Sequence, residues 1–72
     1  MTWKYKIVKY FDDNCWALHE IYYDDDGNPT LMSEDPVKFI SDVSVEDLIK
    51  SLEMALNAAK NDEIFEEPEE WL

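Results

Sequence analysis

The hydrophobic period of this chain changes once, near residue 44, and that change constrains the fold more than any other feature. Before it, apolar residues alternate with others in runs at 3–11, 15–23 and 30–33, as in half-buried strands. After it, they recur every three or four residues, as on one side of a helix. The helical stripe comprises Val45, Leu48, Ile49, Leu52, Ala55, Leu56 and Ala59. This order predicts an α+β fold: a three-stranded antiparallel sheet covered on one face by a C-terminal helix at 45–60.

Polar turns separate the strand runs. Residues 12–14 form a short turn, and residues 24–29 form a longer one that contains Gly27, the single glycine of the chain. Both faces of the second run carry apolar side chains, so the sequence leaves open which face is buried. Pro36 interrupts the third run, and residues 37–40 are a candidate for a short fourth strand or edge segment.

The helix is expected to begin after Ser44, whose hydroxyl suits an N-cap, and to stop at Asn61 in a left-handed conformation. Residues 1–65 then form a single ββ(β)α domain. Residues 66–72 are expected to be a flexible acidic tail, because four of these seven residues are glutamate. Two interpretations of its apolar tip stay open: Trp71 either folds back onto the sheet or anchors the chain in a pocket of a partner.

The 72 residues include 18 Asp and Glu against six lysines, which gives a net charge of −12. The charge is uneven: residues 1–11 carry +3, 12–37 carry −8, 38–60 carry −1 and 61–72 carry −6. Such a charge repels phosphate, so direct nucleic-acid binding is not expected. No run of 18 apolar residues occurs, so no contact with a membrane is expected. The lone Cys15 has no internal partner, and the cytoplasm is the expected location.

Residues 17–29 read A-L-H-E-I-Y-Y-D-D-D-G-N-P, and residues 36–37 (Pro-Val) and 44–48 (Ser-Val-Glu-Asp-Leu) follow. This combination resembles a group of small uncharacterised bacterial acidic proteins with the hairpin pattern A-x-H-E-I/V-Y-Y-D-x-D-G-x-P. The resemblance spans residues 3–60 and implies a fold but no activity. A weaker likeness, in element order and in the capped helix, is to HicB-like antitoxin domains. In that family a DNA-binding domain follows the helix, and we expect none after the helix of this chain.

The sequence contains no complete catalytic or metal-binding motif. An EF-hand loop aligned on Gly27 would place Tyr22 and Ser33 at ligand positions, so that motif fails and the acidic turn is interpreted as solvated. Cys15 and His19 share a strand face, but two ligands are too few for a structural zinc. A thiol and an imidazole alone also lack the orienting group and pocket of an enzyme. We therefore expect no enzyme, no metal and no cofactor, with a thiol or metal enzyme as the minor alternative.

The aromatic side chains of the first two runs exceed what one helix can cover, and an exposed aromatic sheet face indicates an interaction surface. We therefore expect a small non-catalytic acidic binding protein, an adaptor or inhibitor of a protein partner with a basic surface. The alternative is a DNA-mimic or antitoxin-like protein of mobile-element origin, and a homodimer through the sheet is a further expectation. The expected partner-binding residues are Trp16, Tyr22, Tyr23, Trp71 and Leu72.

Overall fold

The computed structural model describes residues 1–71, which form one sheet and one long helix. The elements are β1 (Thr2–Lys9), β2 (Trp16–Tyr23), β3 (Pro29–Met32), α1 (Val45–Asn61), β4 (Phe65–Glu66) and a final 3₁₀ turn (Glu69–Trp71). The strands lie in the order β3-β2-β1-β4, and α1 packs against β1. The predicted α+β class is confirmed.

The first three strands form an antiparallel meander, as the sequence predicts. Ile7 is opposite Leu18 across β1 and β2, and Ile21 is opposite Met32 across β2 and β3. The turn between β2 and β3 contains Gly27 at φ +83°, a left-handed conformation that glycine adopts without a steric penalty.

The fourth strand is not in the segment where the sequence places it. Val37 donates its N–H to the carbonyl of Leu18, but residues 37–40 form no strand. The fourth strand is β4, which pairs with the other edge of the sheet, with Val8 opposite Phe65. It runs parallel to β1, so the expectation of a wholly antiparallel sheet is wrong. β1 and β3 are both antiparallel to β2, so β3 and β4 run in the same direction, and α1 is the crossover that joins these two parallel strands.

The helix begins where the sequence predicts and ends differently. Ser44 is the N-cap, and its hydroxyl accepts the N–H of Asp47 at 3.0 Å. Asn61 is the last helical residue and is not left-handed. Asp62 ends the helix in an extended conformation, with φ −98°, and donates its N–H to the carbonyl of Ala58. The chain turns directly toward β4 from there, so no left-handed residue is needed.

The sheet has two differently covered faces. The helix face carries Trp3, Tyr5, Ile7, Trp16 and Leu18. The tail face carries Val8, Ala17, His19, Ile21 and Phe65, by strand alternation and pairing. A helix about 10 Å wide cannot cover four strands whose outer members lie about 14 Å apart. The helix face is therefore covered over β1 and remains open over β2.

The most completely buried side chains lie on the tail face, which answers the question that the sequence leaves open for the second strand. Val8 and Ile21 have no exposed surface, and His19 is 1% exposed. On the helix face of the same strand, Trp16 and Leu18 are exposed and half-buried, respectively. The tighter core therefore forms under the C-terminal segment, and the looser packing lies under the helix.

One of the four C-terminal glutamates packs against the sheet, whereas the sequence predicts a flexible tail. Glu67 is buried, donates its N–H to the carbonyl of Lys9 and accepts the N–H of Phe11 on its Oε1 at 2.9 Å. These bonds extend the parallel pairing of β4 by one residue. A carboxylate tolerates this buried position because the N–H of Phe11, just after β1, donates a hydrogen bond to one of its oxygens.

Trp71 also belongs to the folded body. Its ring stacks on Phe65, with the ring centres 5.5 Å apart and the planes inclined by 25°. The 3₁₀ turn thus returns Trp71 to the sheet, beyond the expected domain boundary after residue 65. Leu72 lies outside the described residues.

Candidate functional site

An open apolar groove lies between α1 and β2 on the helix face. Its volume is about 380 Å³, and its lining is almost wholly aliphatic and aromatic. The side chains that line it on the helix face are Ile7, Trp16, Leu18, Phe39, Leu52, Ala55, Leu56 and Ala59. Hereafter this feature is called the α1–β2 groove. A concave site with such a lining can hold an apolar ligand or segment, whereas catalysis would also require convergent polar groups.

The large side chains along the α1–β2 groove are exposed to a degree that is unusual for a helical stripe. Trp16 is 50% exposed, Leu52 44% and Leu56 59%. Ala55 is the one residue of the helix that is buried. Full burial of a leucine side chain stabilises by about 1.5–3 kcal/mol, so a molecule that covers these half-exposed leucines gains about half of that free energy from each.

The whole protein has more surface than its mass requires. Its accessible area is 5476 Å², whereas a compact monomer of this mass exposes about 4,700 Å². The Cα radius of gyration is 12.9 Å, compared with about 11 Å for a compact domain of this length. The excess area of about 800 Å² reflects incomplete coverage of the sheet and apolar side chains that are exposed in several parts of the chain.

The expected binding residues of β2 do not share one surface. Trp16 lines the α1–β2 groove. Tyr22 donates its hydroxyl proton to Glu20 at 2.7 Å, and this bond is the main reason that the pKa of Tyr22 is raised. Tyr23 is on the tail face, where the Lys4 ammonium lies 5.8 Å from the centre of its ring. Of these three aromatic residues, the structure therefore brings Trp16 alone to the groove.

Trp71 lies on the opposite side of the sheet from the groove. It borders a second cleft of about 410 Å³ between β3 and the C-terminal segment, with Met32 and Glu67 among the other lining residues. Leu72, the fifth expected residue, lies outside the part of the chain that the structure describes. Trp16 and Trp71 thus lie at two separate surfaces.

The groove also contains residues that sequence reasoning did not assign to a site. Leu52 and Leu56 belong to the helical stripe and were expected to be buried against the sheet. Phe39 comes from the irregular segment before the helix, and its ring centre lies 6.2 Å from that of Tyr5. The helical stripe identifies Leu52 and Leu56 as apolar surface of the helix. Whether the sheet covers these two side chains depends on where the helix crosses it.

A polar network occupies the centre of the tail face. The Nδ1 of His19 lies 2.9 Å from the carbonyl of Ser33, which can only accept, so Nδ1 carries the proton. The Nε2 atom then accepts the hydroxyl proton of Tyr10 at 2.6 Å. Burial, followed by the negative charges of Cys15 and Glu67, raises the pKa of Tyr10. The network joins β1, β2 and the chain beyond β3.

Cys15 and His19, which share a strand face in the sequence pattern, are not brought together. Cys15 is exposed, and its Sγ contacts the carbonyl of Trp16 at 4.0 Å. Both ring nitrogens of His19 have other partners. In the acidic turn, Asp24 accepts the N–H groups of Asp26 and Asn28, which is ordinary turn bonding. Within residues 1–71, no three His, Cys, Asp or Glu side chains are grouped as metal ligands.

Comparison of the chain with protein-family models, curated proteins and solved structures found no match. The resemblances drawn from the hairpin and the capped helix therefore stay predictions. Among the described residues, no helix has both the length and the apolar character needed to cross a bilayer. The geometry of the two surfaces is what supports a function.

Proposed function

We propose that this chain is a small non-catalytic binding protein that holds an apolar segment of a basic protein partner in the α1–β2 groove. The observation that carries the proposal is the exposure of Trp16, Leu52 and Leu56 along one concave surface. Large apolar side chains that face solvent together mark interaction sites more often than isolated ones do.

The net charge favours a partner with a basic surface. At −12, the protein attracts cationic molecules over a distance of about one Debye length, which is about 8 Å at physiological ionic strength. The groove itself supplies apolar contact rather than charge. An amphipathic segment with leucine-like residues on one side and lysine or arginine on the other satisfies both conditions. An adaptor or an inhibitor of such a partner would both work in this way.

We place this activity in the cytoplasm. Cys15 is the single cysteine of the chain, and its side chain is exposed. An exposed free thiol is compatible with a reducing compartment, where it stays unoxidised.

The test uses a synthetic amphipathic helical peptide with leucine on one face and lysine on the other, titrated into the full chain by fluorescence anisotropy. The key variant is Leu56→Asp. It makes the protein more acidic, so attraction by charge alone would strengthen, whereas docking in the groove would be lost. We expect affinity to fall at least tenfold, because a carboxylate would be placed among apolar contacts.

The matched control is Val45→Asp, which introduces the same charge at an exposed helix position outside the groove lining. It should bind the peptide as the original chain does. Equal or tighter binding by Leu56→Asp would contradict the groove proposal. If binding also fell steeply with salt, that result would favour the DNA-mimic or antitoxin-like alternative, in which carboxylates alone recognise the partner.

A further inference from the structure

β3 is an edge strand whose outer side has no partner strand among residues 1–71. Ser33, just beyond it, donates its N–H to the carbonyl of Glu20 on β2. Backbone groups of successive residues point to opposite sides of a strand, so the N–H and carbonyl of Met32 point to the open edge. An extended segment placed beside β3 would pair with these groups.

The second cleft, beside this edge, contains the carboxylate of Glu67, which forms no ion pair with the described residues. Glu67 is 8% exposed and lines the cleft with Trp71 and Met32. Its Oε1 accepts the N–H of Phe11, while its Oε2 has no hydrogen-bond or salt-bridge partner within residues 1–71 and is open to solvent in the cleft. A carboxylate oxygen that opens into the cleft can accept charge-assisted hydrogen bonds from a lysine or arginine that enters it.

The residues that flank β3 in sequence are negatively charged, as Glu67 is. No lysine occurs between Lys9 and Lys38, whereas Asp24, Asp25 and Asp26 precede β3 and Glu34 and Asp35 follow it. Trp71 adds an aromatic wall on which an aliphatic stem or a cation can rest. The edge, the carboxylate and the ring thus favour one class of ligand.

We propose that the open edge of β3 binds an extended peptide segment with alternating basic and apolar residues, added as a fifth strand. Its backbone pairs with Met32, and a lysine or arginine on the tail face reaches Glu67 beside Trp71. This surface is separate from the α1–β2 groove, on the other face of the sheet, and its function does not depend on the groove.

A second copy of this chain fits the same edge poorly. In an antiparallel pair of β3 strands, each acidic turn would meet the acidic end of the other strand. Each copy carries −8 over residues 12–37, and like charges placed opposite one another destabilise a strand pair. A homodimer through this edge is therefore an alternative outcome of the test.

The probe is a fluorescent octapeptide of alternating valine and lysine, measured by anisotropy against the full chain up to about 1 mM. One control replaces lysine with glutamate. A second keeps every lysine but carries N-methyl groups on alternate backbone nitrogens, which removes strand pairing without changing charge. We expect the lysine peptide to bind, and both control peptides to bind at least tenfold more weakly.

Two protein variants locate the site. Met32→Pro removes the outward N–H and alters no charge, and proline is tolerated at an edge strand when its nitrogen faces solvent. Glu67→Gln keeps an oxygen for the N–H of Phe11 and removes the charge. Each variant should bind the lysine peptide about tenfold more weakly than the original chain does. Glu53→Gln, which makes the same charge change on the exposed side of the helix, and Leu56→Asp should leave its affinity within twofold.

Several results would overturn the proposal. Equal binding of the N-methylated peptide, or equal loss with Glu53→Gln and Glu67→Gln, would mean attraction by net charge alone. Absence of binding at the highest peptide concentration would also contradict it. Sedimentation that shows a dimer abolished by Met32→Pro would assign the edge to a second copy. If Glu67→Gln failed to fold, Met32→Pro and the N-methylated peptide would still decide the matter.

Discussion

The hydroxyl oxygen of Tyr10 lies 2.6 Å from Nε2 of His19, and the two rings meet edge to face with their centres 5.5 Å apart. His19 is almost completely buried, so no water replaces this donor if it is removed. The contact joins the end of β1 to the middle of β2. It is the central polar contact of the tail face.

Tyr10→Phe should therefore destabilise the protein although it preserves the ring. An unpaired buried acceptor lowers the free energy of unfolding by about 1–3 kcal/mol. In a domain of this size, each kcal/mol lowers the Tm by roughly 4–8 °C. Thermal unfolding followed by circular dichroism measures it. Tyr22→Phe is the control, because Glu20 is half-buried and can turn to water. Equal stability of the original chain and Tyr10→Phe would disprove the role assigned to this bond.

Stability should decline in alkaline solution, in part through Tyr10. Burial raises the pKa of Tyr10 in the folded chain above its ordinary value of 10.0. Above pH 10, the unfolded state loses this proton before the folded state does, so unfolding releases protons and rising pH favours it. Below pH 10 the contribution is fully present. Urea unfolding at about pH 8 and about pH 11 should show a smaller loss for Tyr10→Phe than for the original chain; an identical loss would refute this assignment.

Trp71→Ala should lower the Tm because Trp71 stacks on Phe65 and covers part of the tail face. The stacking alone contributes about 0.5–1.5 kcal/mol beyond the buried area. Trp16→Ala is a matched comparison, since Trp16 is half exposed in the α1–β2 groove. Trp16→Ala should lower the Tm less than Trp71→Ala does, and it should weaken binding of the leucine–lysine helical peptide. An unchanged Tm for Trp71→Ala would show that the C-terminal segment is not part of the folded body.

Added salt should stabilise the protein. Two ion pairs form within residues 1–71, the terminal amine with Asp25 and Lys6 with Asp62, and the first is largely exposed. Self-repulsion at −12 therefore outweighs local attraction, and salt screens it. The Tm should rise between low ionic strength and about 0.5 M salt, where the Debye length is about 4 Å. Calorimetry at a series of salt concentrations tests this, and a falling midpoint would contradict the argument.

The amino-acid sequence by itself determines the local elements. The alternation of residues 3–11, 15–23 and 30–33 and the stripe of 45–60 predict the three antiparallel strands and the helix, and Ser44 predicts where the helix begins. These predictions succeed because each depends on neighbours within a few residues along the chain. The period of a segment is the same whatever it packs against.

Only the tertiary structure decided what the elements cover. Phe65 forms a parallel strand and Glu67 is buried because a distant segment, at Val8 to Phe11, supplies their partners. Leu56 is exposed because one helix is too narrow to cover this sheet. The apolar stripe of the helix does not indicate which of its residues the sheet will leave uncovered. Both candidate surfaces arise in this way, from long-range placement. Strand pairing and coverage depend on contacts between residues far apart in sequence, so periodicity predicts the elements but not the surfaces that they leave open.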